Sequence, residues 1–443
     1  MLKTFKLGGV HPPENKLSAD SEIVELPLSP TVFIPVGQHI GAPATAVVKK
    51  GDQVKTGQLI ARSSGFVSAN VHSSVSGTVT KVDLVPDSGG YPRVGVVIKV
   101  EGDDWDDQID TSPDLKSEIS LTGPEIIEKI KEAGIVGMGG ATFPTHVKLV
   151  PPRGMKFEML LINGVECEPF LTSDNRLMIE KSDEIVVGTR LLMKAMGVDK
   201  AFIGIENNKP EAIRKMEKAV NGISGISVVP LKVKYPQGGE KQLIKAVTGR
   251  EVSSGALPVS VGCLVSNVGS AFAVYEAVQK NKPLFERVVT VTGKSLRNPS
   301  NVKVRIGTPV SDLILFAGGV PEDTGKIISG GPMMGKALAT SDVPVTKGTS
   351  GIVLIPEKQA ARKPQLACIR CSRCTNACPM GLEPFLLMTL SENSLWERLE
   401  KEMVLDCIEC GSCSFSCPAS RPLLDYIRYA KAKVGQLVRS RKH

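Results

Sequence analysis

The sequence predicts a multidomain protein of α/β and β architecture that ends in a helical, cysteine-rich domain. Three observations support this fold class. Residues 31–100 contain short strand-like segments broken by glycine turns, and residues 119–284 alternate strand-like with helix-like segments. Residues 368–418 hold eight of the ten cysteines of the chain. Alternation of strands and helices is typical of βαβ units around a largely parallel sheet, so we expect separately folded modules joined in one chain.

Length and composition are those of an ordinary soluble protein. The 443 residues have room for about three domains, and contents of 42% hydrophobic and 23% charged residues are typical of globular chains. No apolar run approaches the roughly 18 residues that a transmembrane helix needs. The first residues lack the apolar core of a secretory signal. We therefore expect a cytoplasmic protein, or one bound to the cytoplasmic face of a membrane.

Positive charge is concentrated at the C-terminus. Residues 421–443 carry seven Lys or Arg residues against the single carboxylate of Asp425, whereas the net charge of the whole chain is +8. The remainder is nearly neutral, which argues against an extended nucleic-acid surface. The basic segment, which includes Arg441 and Lys442, predicts either contact with anionic lipid or an acidic partner, or a solvated helix end.

The N-terminal third of the chain predicts β-structure. Residues 1–30 contain His11-Pro12-Pro13 and few periodic segments, so we expect an extended arm. The strands and glycine turns that follow resemble the barrel-sandwich fold of biotinyl and lipoyl carrier domains. Carrier domains present a modifiable lysine on a hairpin tip, and the corresponding tip near Ser63-Ser64-Gly65 has none. We therefore expect an unmodified β-module that serves packing or docking, followed by an acidic linker over residues 101–118.

The segment after this linker predicts the alternating α/β region. A helix should begin after the N-cap residue Thr122 and end near Gly134. The elements expected after it are strand 157–162, helix 183–196, strand 201–205, helix 210–220, strand 226–233 and helix 239–247. Residues 287–340 return to short strands and predict a small α+β module. Helices are expected again over residues 384–390, 395–403 and 422–438.

The cysteines form two runs with the same spacing, C-x2-C-x2-C-x3-C, each followed at once by proline. The runs are Cys368, Cys371, Cys374 and Cys378 before Pro379, and Cys407, Cys410, Cys413 and Cys417 before Pro418. This pattern is the ligand motif of bacterial two-cluster ferredoxins, in which the fourth cysteine of each run binds the cluster of the other run. The resemblance implies a [4Fe-4S] cluster 1 on Cys368, Cys371, Cys374 and Cys417, and a [4Fe-4S] cluster 2 on Cys407, Cys410, Cys413 and Cys378.

Structural zinc and disulfide bonds are the alternatives for these cysteines. Zinc sites favour two separated C-x2–4-C pairs rather than triplets that end in Cys-Pro. Disulfides need an oxidising compartment, for which the sequence carries no export signal. Cys167 and Cys263 lie outside the runs in apolar surroundings, where a free cysteine usually packs as a small hydrophobic side chain. We assign these two cysteines no chemistry.

A glycine-rich loop, GIVGMGGATFPTHVK over residues 134–148, follows the first predicted helix. Glycines let backbone N–H groups approach a phosphate, and Lys148 can add a positive charge. The loop lacks the G-x-G-x-x-G spacing of an ordinary dinucleotide site. Taken alone, it predicts either a nucleotide-binding loop or a tight turn.

Three other segments support a cofactor site. They are Asn163–Pro169 after a strand, Tyr235–Lys241 at a helix start, and Val265–Val268 after a short strand. Open α/β sheets bind ligands where their strands end. In this order the segments resemble the NADH-oxidising flavoprotein subunit of respiratory complex I. Together with the β-module and the cysteine runs, they make the whole chain resemble the RnfC family, the peripheral NADH-handling subunits of Rnf ion-translocating ferredoxin:NAD+ oxidoreductase complexes.

The resemblance implies non-covalent FMN as a cofactor and NAD(H) as a substrate. Gly137, Gly139, Gly140 and Lys148 would hold the FMN phosphate and ribityl chain, and Phe143 would stack near the nicotinamide. Asn163, Glu166 and Glu168 match a motif that lines the flavin and NADH site. Glu240 matches a Gly-Glu pair of the next loop, and Ser266 and Asn267 match an Asn-Asn flavin contact. No catalytic side chain is implied beyond the cofactors.

The sequence departs from the family pattern at three positions. Met138, Val165 and Ser266 stand where arginine, aspartate and asparagine are expected, which predicts a retuned nucleotide site. Two other functions stay open. One is a cobalamin reductase-type flavin and iron–sulfur enzyme, in which the glycine-rich loop lies near the N-terminus instead of after a β-module. The other is a non-catalytic iron–sulfur adaptor with an empty nucleotide fold.

The resemblance also implies how the chain is divided and where it acts. We expect an arm (1–30), a barrel-sandwich domain (31–103), an FMN/NADH-binding α/β domain (119–284), an SLBB-like β-grasp module (285–345), a helical two-[4Fe-4S] ferredoxin-like domain (360–425) and a basic tail (426–443). The implied function is NADH-linked electron transfer on the cytoplasmic face of a bacterial membrane. The implied partners are integral membrane and iron–sulfur subunits of the complex, and a soluble ferredoxin.

Overall fold

The structure is a computed structural model that describes residues 2–87 and 89–441. Lys442, which belongs to the predicted basic tail, lies outside the described residues. Within the described ranges, no helix combines the length and the apolar character that crossing a bilayer requires.

The N-terminal module is a sandwich of two small antiparallel sheets, which confirms the predicted β-module. The sheets have the strand orders β2-β8-β7-β4 and β3-β5-β6. Strand β1 (Ile23–Glu25) lies in the arm that precedes this module. The strands of the sandwich are β2 (Thr31–Pro35), β3 (Thr45–Ala46), β4 (Gln53–Val54), β5 (Leu59–Arg62), β6 (Val71–His72), β7 (Ser76–Pro86) and β8 (Pro92–Gly102). Side chains alternate between the two faces of a strand, so Val32 and Ile34 of β2 are fully buried between the sheets.

The central module is a parallel sheet of strand order β11-β10-β9-β12. Its strands are β9 (Met159–Asn163), β10 (Ala201–Glu206), β11 (Ile226–Leu231) and β12 (Cys263–Asn267). Its helices are α1 (Gly123–Glu132), α2 (Thr145–Lys148), α3 (Ser173–Glu180), α4 (Ser182–Met196), α5 (Pro210–Val220), α6 (Glu240–Thr248) and α7 (Val268–Gln279). A one-turn 3-10 helix, Pro258–Val261, precedes β12. Asn163 and Asn267 are aligned at the carboxyl ends of neighbouring strands. The predicted elements of this region are present within a few residues of their expected bounds.

Three helices of this module, α2, α3 and α7, have no counterpart in the sequence-based prediction. Helix α7 is apolar on nearly every side and buries residues from Val268 to Val278. It therefore lacks the amphipathic stripe that identifies a surface helix. The start of α1 agrees with the prediction, because the Glu125 carboxylate accepts a hydrogen bond from the Thr122 backbone N–H at 2.7 Å.

The third module is a six-stranded mixed sheet of order β1-β14-β13-β17-β15-β16. Its further elements are β13 (Glu286–Gly293), β14 (Ser300–Arg305), α8 (Val310–Phe316), β15 (Thr324–Ser329), β16 (Lys336–Ala337), β17 (Gly351–Pro356) and α9 (Glu357–Ala360). Strand β1 of the N-terminal arm pairs in parallel with β14. The arm therefore contributes a strand to this sheet. Together with β17, which follows residue 345, it extends the sheet beyond both ends of the predicted module 285–345.

The C-terminal module is helical. It contains α10 (Arg373–Ala377), α11 (Pro384–Glu392), α12 (Trp396–Lys401), a 3-10 turn (Val404–Asp406), α13 (Ser412–Ser416) and α14 (Leu423–Ser440). Leu387, Leu399 and Ile427 form part of its core. The three helices predicted for this region are confirmed, and most of the basic tail lies on α14.

Lys347 joins three of the modules at a fully buried position. Its Nζ donates hydrogen bonds of 2.7 Å to the carbonyl of Asn70 in the β-sandwich and of 2.7 Å to the carbonyl of Gly134 before the glycine-rich loop. Its backbone N–H donates to Oε1 of Gln38 at 2.9 Å. Burial lowers the pKa of Lys347 to about 7. Both acceptors are uncharged carbonyls, so the uncharged amine satisfies this site at lower cost than the ammonium form.

We predict that Lys347→Met flattens the dependence of stability on pH. Between pH 7 and the ordinary lysine pKa of 10.5, the unfolded chain binds a proton that the folded chain does not. The free energy of unfolding should therefore rise with pH across this range, by at most about 1.4 kcal/mol per pH unit from this residue. Urea unfolding at pH 7.5 and 9.5 should show a smaller rise in the variant than in the wild type. Lys50→Met, at an exposed position, is the control, and equal slopes in all three proteins would contradict the prediction.

Candidate functional site

The glycine-rich loop forms an open cradle between α1 and α2. Gly137 N–H donates to the Phe143 carbonyl at 2.9 Å and closes the loop on itself. A β-carbon added at Gly139 would lie 2.8 Å from Nδ2 of Asn267, so the loop rests directly on that amide. A β-carbon at Gly140 would meet no protein atom within 4 Å. Gly139 and Gly140 are exposed and Phe143 is half-buried, which leaves backbone groups free to face a ligand.

Two of the predicted site residues form an ion pair at this cradle. Nζ of Lys148, at the end of α2, lies 2.8 Å from Oε1 of Glu240, the first residue of α6. Both side chains remain more than a third exposed. The pair links the glycine-rich loop to the segment 235–240 and holds a positive charge beside the cradle.

The two asparagines at the ends of β9 and β12 connect the loops behind the cradle. Asn163 Nδ2 donates to the Gly238 carbonyl at 2.9 Å, and Asn267 Nδ2 lies 3.3 Å from the Asn163 carbonyl. Asn267 Oδ1 accepts from Gly269 N–H at 2.8 Å and caps α7. Ser266 is half-buried in β12. The structure thus gathers the 137–148, 163, 238–240 and 266–267 segments at the carboxyl edge of the sheet, where α/β sheets bind ligands.

Glu166 and Glu168 accept hydrogen bonds from backbone N–H groups of neighbouring segments. Glu166 accepts hydrogen bonds from the backbone N–H groups of Asp174 at 2.7 Å and Asn175 at 3.1 Å, so it caps the start of α3. Glu168 accepts from Met333 and Met334 N–H at 3.0 and 2.8 Å, in the third module. Burial raises the pKa of Glu168 to about 7. Both carboxylates hold backbone segments in place.

The residues that replace the family's charged positions are part of the hydrophobic cores. Met138 is 7% exposed and Val165 is fully buried. A carboxylate that the sequence analysis did not identify lies nearby, because Asn267 Nδ2 donates to Asp174 Oδ2 at 2.7 Å. Burial, reinforced by the charge of Glu166, raises the pKa of Asp174 to about 7. The run Thr172-Ser173-Asp174 is typical of a helix start and is the signal that could have indicated α3.

Four cysteines from the two runs line a single cavity in the C-terminal module. Cys378, from the first run, lines this cavity together with Cys407, Cys410 and Cys413, from the second. Backbone N–H groups of Leu382 and Glu409 approach the sulfurs of Cys378 and Cys407 at 3.4 Å each. Burial and then the neighbouring thiols raise the pKa of Cys413 to about 12. This is the set of cysteines that an exchange of the fourth ligand requires for cluster 2.

The remaining four cysteines lie nearer the surface. Cys368 and Cys371 are exposed, whereas Cys374 and Cys417 are half-buried against the C-terminal core. Among the described residues, no group of three or more His, Cys, Asp or Glu side chains is arranged to hold a single metal ion. A cubane distributes its thiolates over separate corners, so its ligands need not converge as those of one ion do.

The two runs repeat one backbone conformation. The second residue after the first cysteine is left-handed in both, at Arg370 and Glu409, with φ of 56° and 57°. The residue before the third-cysteine helix is also left-handed, at Ser372 and Gly411. Only Gly411 is constrained to lack a side chain, because a β-carbon there would lie 2.8 Å from the Met333 carbonyl oxygen.

The two cysteines outside the runs are packed as expected. Cys263 is fully buried and Cys167 packs against the same hydrophobic core as Val165 and Leu243. Gly238 N–H approaches the Cys167 sulfur at 3.4 Å. Burial raises the pKa of Cys167 to about 12 and that of Cys263 to about 11, so both remain thiols at neutral pH.

Comparison with known proteins assigns the modules to families. Residues 3–103 match the RnfC barrel sandwich hybrid domain, residues 130–276 the Nuo51 FMN-binding domain, and residues 288–337 the SLBB domain. Among solved structures, an NAD+-reducing [NiFe]-hydrogenase in the H2-reduced state is similar with a TM-score of 0.49 and 19% identity, over 70% of this chain and 62% of that chain. That likeness is too low to guide interpretation.

Curated relatives are similar over nearly the full length. The C subunit of the proton-translocating ferredoxin:NAD(+) oxidoreductase complex of Clostridium ljungdahlii is 50% identical over 98% of this chain and 94% of its own length. The Na(+)-translocating counterpart of Acetobacterium woodii is 45% identical over 97% of each chain. The C subunit of the ion-translocating oxidoreductase complex of Rhodobacter capsulatus is 42% identical over 100% of this chain and 85% of its own. These similarities confirm the resemblance in the motifs, and the chain belongs to the RnfC family, the C subunits of ion-translocating ferredoxin:NAD+ oxidoreductase complexes.

Proposed function

We propose that this chain is the peripheral electron-transfer subunit of such a complex and passes electrons between NAD(H), FMN and two [4Fe-4S] clusters. The observation that carries the proposal is the pairing of two sites in one chain. An open glycine cradle lies at the carboxyl edge of the central sheet, and four cysteines from both runs line one cavity of the adjacent helical module.

The residues of the cradle fit a flavin phosphate. Gly139 and Gly140 would present backbone N–H groups, while Gly137 would shape the loop through its hydrogen bond to the Phe143 carbonyl. The free space at Gly140 is where a side chain would obstruct a ligand. Lys148 would supply positive charge while Glu240 holds its ammonium group beside the loop. Bound FMN would supply the exchange between two-electron hydride transfer and one-electron steps. The remaining candidate contacts are Phe143, Asn163, Glu240, Ser266 and Asn267.

Glu166 and Glu168, which match the family motif, would support the flavin site indirectly. Glu166 would set the start of α3 behind Asn267, and Glu168 would hold the 330–335 loop against the central module. We infer that they orient the site without touching the flavin. The positions of Met138 and Val165 in the cores leave Lys148 as the cation of the glycine-rich loop.

The cysteines fit two clusters with exchanged fourth ligands. Cluster 2 would be held by Cys378, Cys407, Cys410 and Cys413, whose side chains share a largely apolar cavity. Cluster 1 would be held by Cys368, Cys371, Cys374 and Cys417, two of which are exposed. Greater exposure to solvent around cluster 1 would give the two clusters different reduction potentials, since burial is one of the features that set them.

The partners and location follow from the relatives' names. Relatives of 45–50% identity are named as C subunits of complexes that translocate protons or Na+. We propose that this chain binds the integral membrane and iron–sulfur subunits of such a complex at the cytoplasmic face of the membrane, and exchanges electrons with a soluble ferredoxin through them. Arg428 and Lys431 of α14 pair with Glu409, so Lys433 and Arg439 would supply the positive charge of this helix for an acidic subunit or anionic lipid.

Cofactor analysis with an NADH titration tests the proposed function. The full chain is purified and reconstituted without oxygen, its flavin and iron are counted, and NADH is added while absorbance and EPR are recorded. We expect one flavin, about eight irons, and bleaching with signals of reduced clusters. Cys263→Ala, which removes a cysteine outside the runs, should behave as the wild type. About eight irons without flavin or any response to NADH would favour the adaptor function instead.

A further inference from the structure

Tyr235 connects the central module to the loop that carries Cys410. Its side chain is 2% exposed, and its hydroxyl donates a hydrogen bond of 2.8 Å to the backbone carbonyl of Cys410. A carbonyl oxygen can only accept, so the phenol must be the donor. The residues on the two sides of this bond are 175 positions apart in the sequence. The bond therefore fixes one module against another.

The N-terminal arm holds the backbone of Tyr235 from the other side. Val10 and Tyr235 exchange two backbone hydrogen bonds of 2.8 and 2.9 Å. Gly9 N–H then donates to the carbonyl of Ala377, next to Cys378, at 2.9 Å. Gly8 has a φ of +64°, and a β-carbon there would lie 2.3 Å from the Cys378 carbonyl oxygen. The arm thus packs Tyr235 against both cysteine runs that line the cavity.

The other end of the same loop reaches the glycine cradle. Gly238, three positions after Tyr235, accepts the hydrogen bond from Asn163, and Glu240 pairs with Lys148. The Tyr235 hydroxyl oxygen also lies 3.4 Å from Oε1 of Glu168. The segment 235–240 therefore contacts the candidate flavin site at one end and the candidate cluster 2 site at the other.

We propose that Tyr235 is a positioning residue that fixes cluster 2 against the flavin domain and raises the reduction potential of this cluster through its hydrogen bond to Cys410. The proposal rests on the cofactors proposed above. Hydrogen bonding and solvent exposure around a cluster are among the features that set its potential. The O–H dipole directs its positive end toward the cluster-binding loop and so favours the reduced cluster, which carries one more negative charge.

The test is Tyr235→Phe in the full, anaerobically reconstituted chain. Potentiometric titration followed by EPR measures each cluster separately, and Cys410→Ala identifies the signal of cluster 2. We expect cluster 2 to become harder to reduce, with a ratio of reduced to oxidised cluster that falls roughly three- to tenfold at a fixed potential, as for the loss of one hydrogen bond. Cluster 1, flavin content and iron content should not change.

Tyr275→Phe is the matched control. Tyr275 is also buried, at 4% exposure, and its hydroxyl accepts a hydrogen bond from Lys116 N–H at 3.2 Å, outside the cysteine-rich module. Its removal should leave both potentials unchanged. Loss of cluster 2 from Tyr235→Phe would show a structural role only and would overturn the proposed effect on its reduction potential. An unchanged cluster 2, equal shifts in both tyrosine variants, or loss of both clusters would overturn it. Wild-type protein without two reducible clusters would instead contradict the function proposed above.

Discussion

Replacing Cys374 and Cys378 together by alanine should remove both clusters, whereas replacing Cys378 and Cys410 together should remove only one. The two cysteines of the first pair belong to the same sequence run, but we propose that they bind different clusters. Those of the second pair come from different runs and line the same cavity. Loss of a thiolate ligand to a cubane removes the cluster or reduces its iron content. Iron analysis should therefore fall from about eight to near zero for the first pair and to about four for the second.

Single variants complete this comparison. Cys378→Ala and Cys410→Ala should each abolish the same EPR signal, and Cys374→Ala and Cys417→Ala should each abolish the other. Cys167→Ala controls for the loss of a buried cysteine outside the runs. If Cys374→Ala and Cys378→Ala abolished the same signal, each run would bind its own cluster. The exchange of ligands would then be wrong.

Gly140→Ala should weaken FMN binding without destabilising the protein. An added β-carbon at this position meets no protein atom within 4 Å, so the folded chain has room for it. A phosphate or ribityl chain in the cradle would occupy that space, and overpacking by a single methyl group costs about 1–3 kcal/mol. We expect FMN affinity to fall by roughly ten- to a hundredfold, as measured by quenching of flavin fluorescence on titration of the flavin-free protein.

Two glycine variants serve as comparisons for this test. Gly65→Ala lies in the N-terminal sandwich, where the new β-carbon would make an ordinary contact of 3.5 Å with Ala42, and it should leave flavin affinity unchanged. Gly139→Ala would press on the Asn267 amide and should lower both affinity and melting temperature. Normal FMN affinity in Gly140→Ala would show that the flavin does not lie against this loop.

Local patterns in the sequence predicted most of the elements and several of the candidate ligands. The capping pattern at Thr122, the strand and helix periods between residues 157 and 247, and the helices after residue 384 depend on neighbouring residues, and the structure agrees with them within a few positions. Helix α7 was missed because it is buried on nearly every side and has no polar face. The glycine-rich loop could also be predicted from the sequence, because closely spaced glycines leave the backbone accessible to a ligand.

The sequence by itself determined the family, the order of the modules and the two cysteine runs, because short patterns of neighbouring residues identify all three. Only the tertiary structure decided which distant residues meet. It brings Cys378 to the second run and joins strand β1 of the arm to the third module. It also turns Glu168 toward Met333, and places Tyr235 against Cys410. These contacts join segments more than 25 positions apart, and local propensity carries no information about them. They arise because each module must bury its remaining apolar surface and satisfy its buried polar groups against the others.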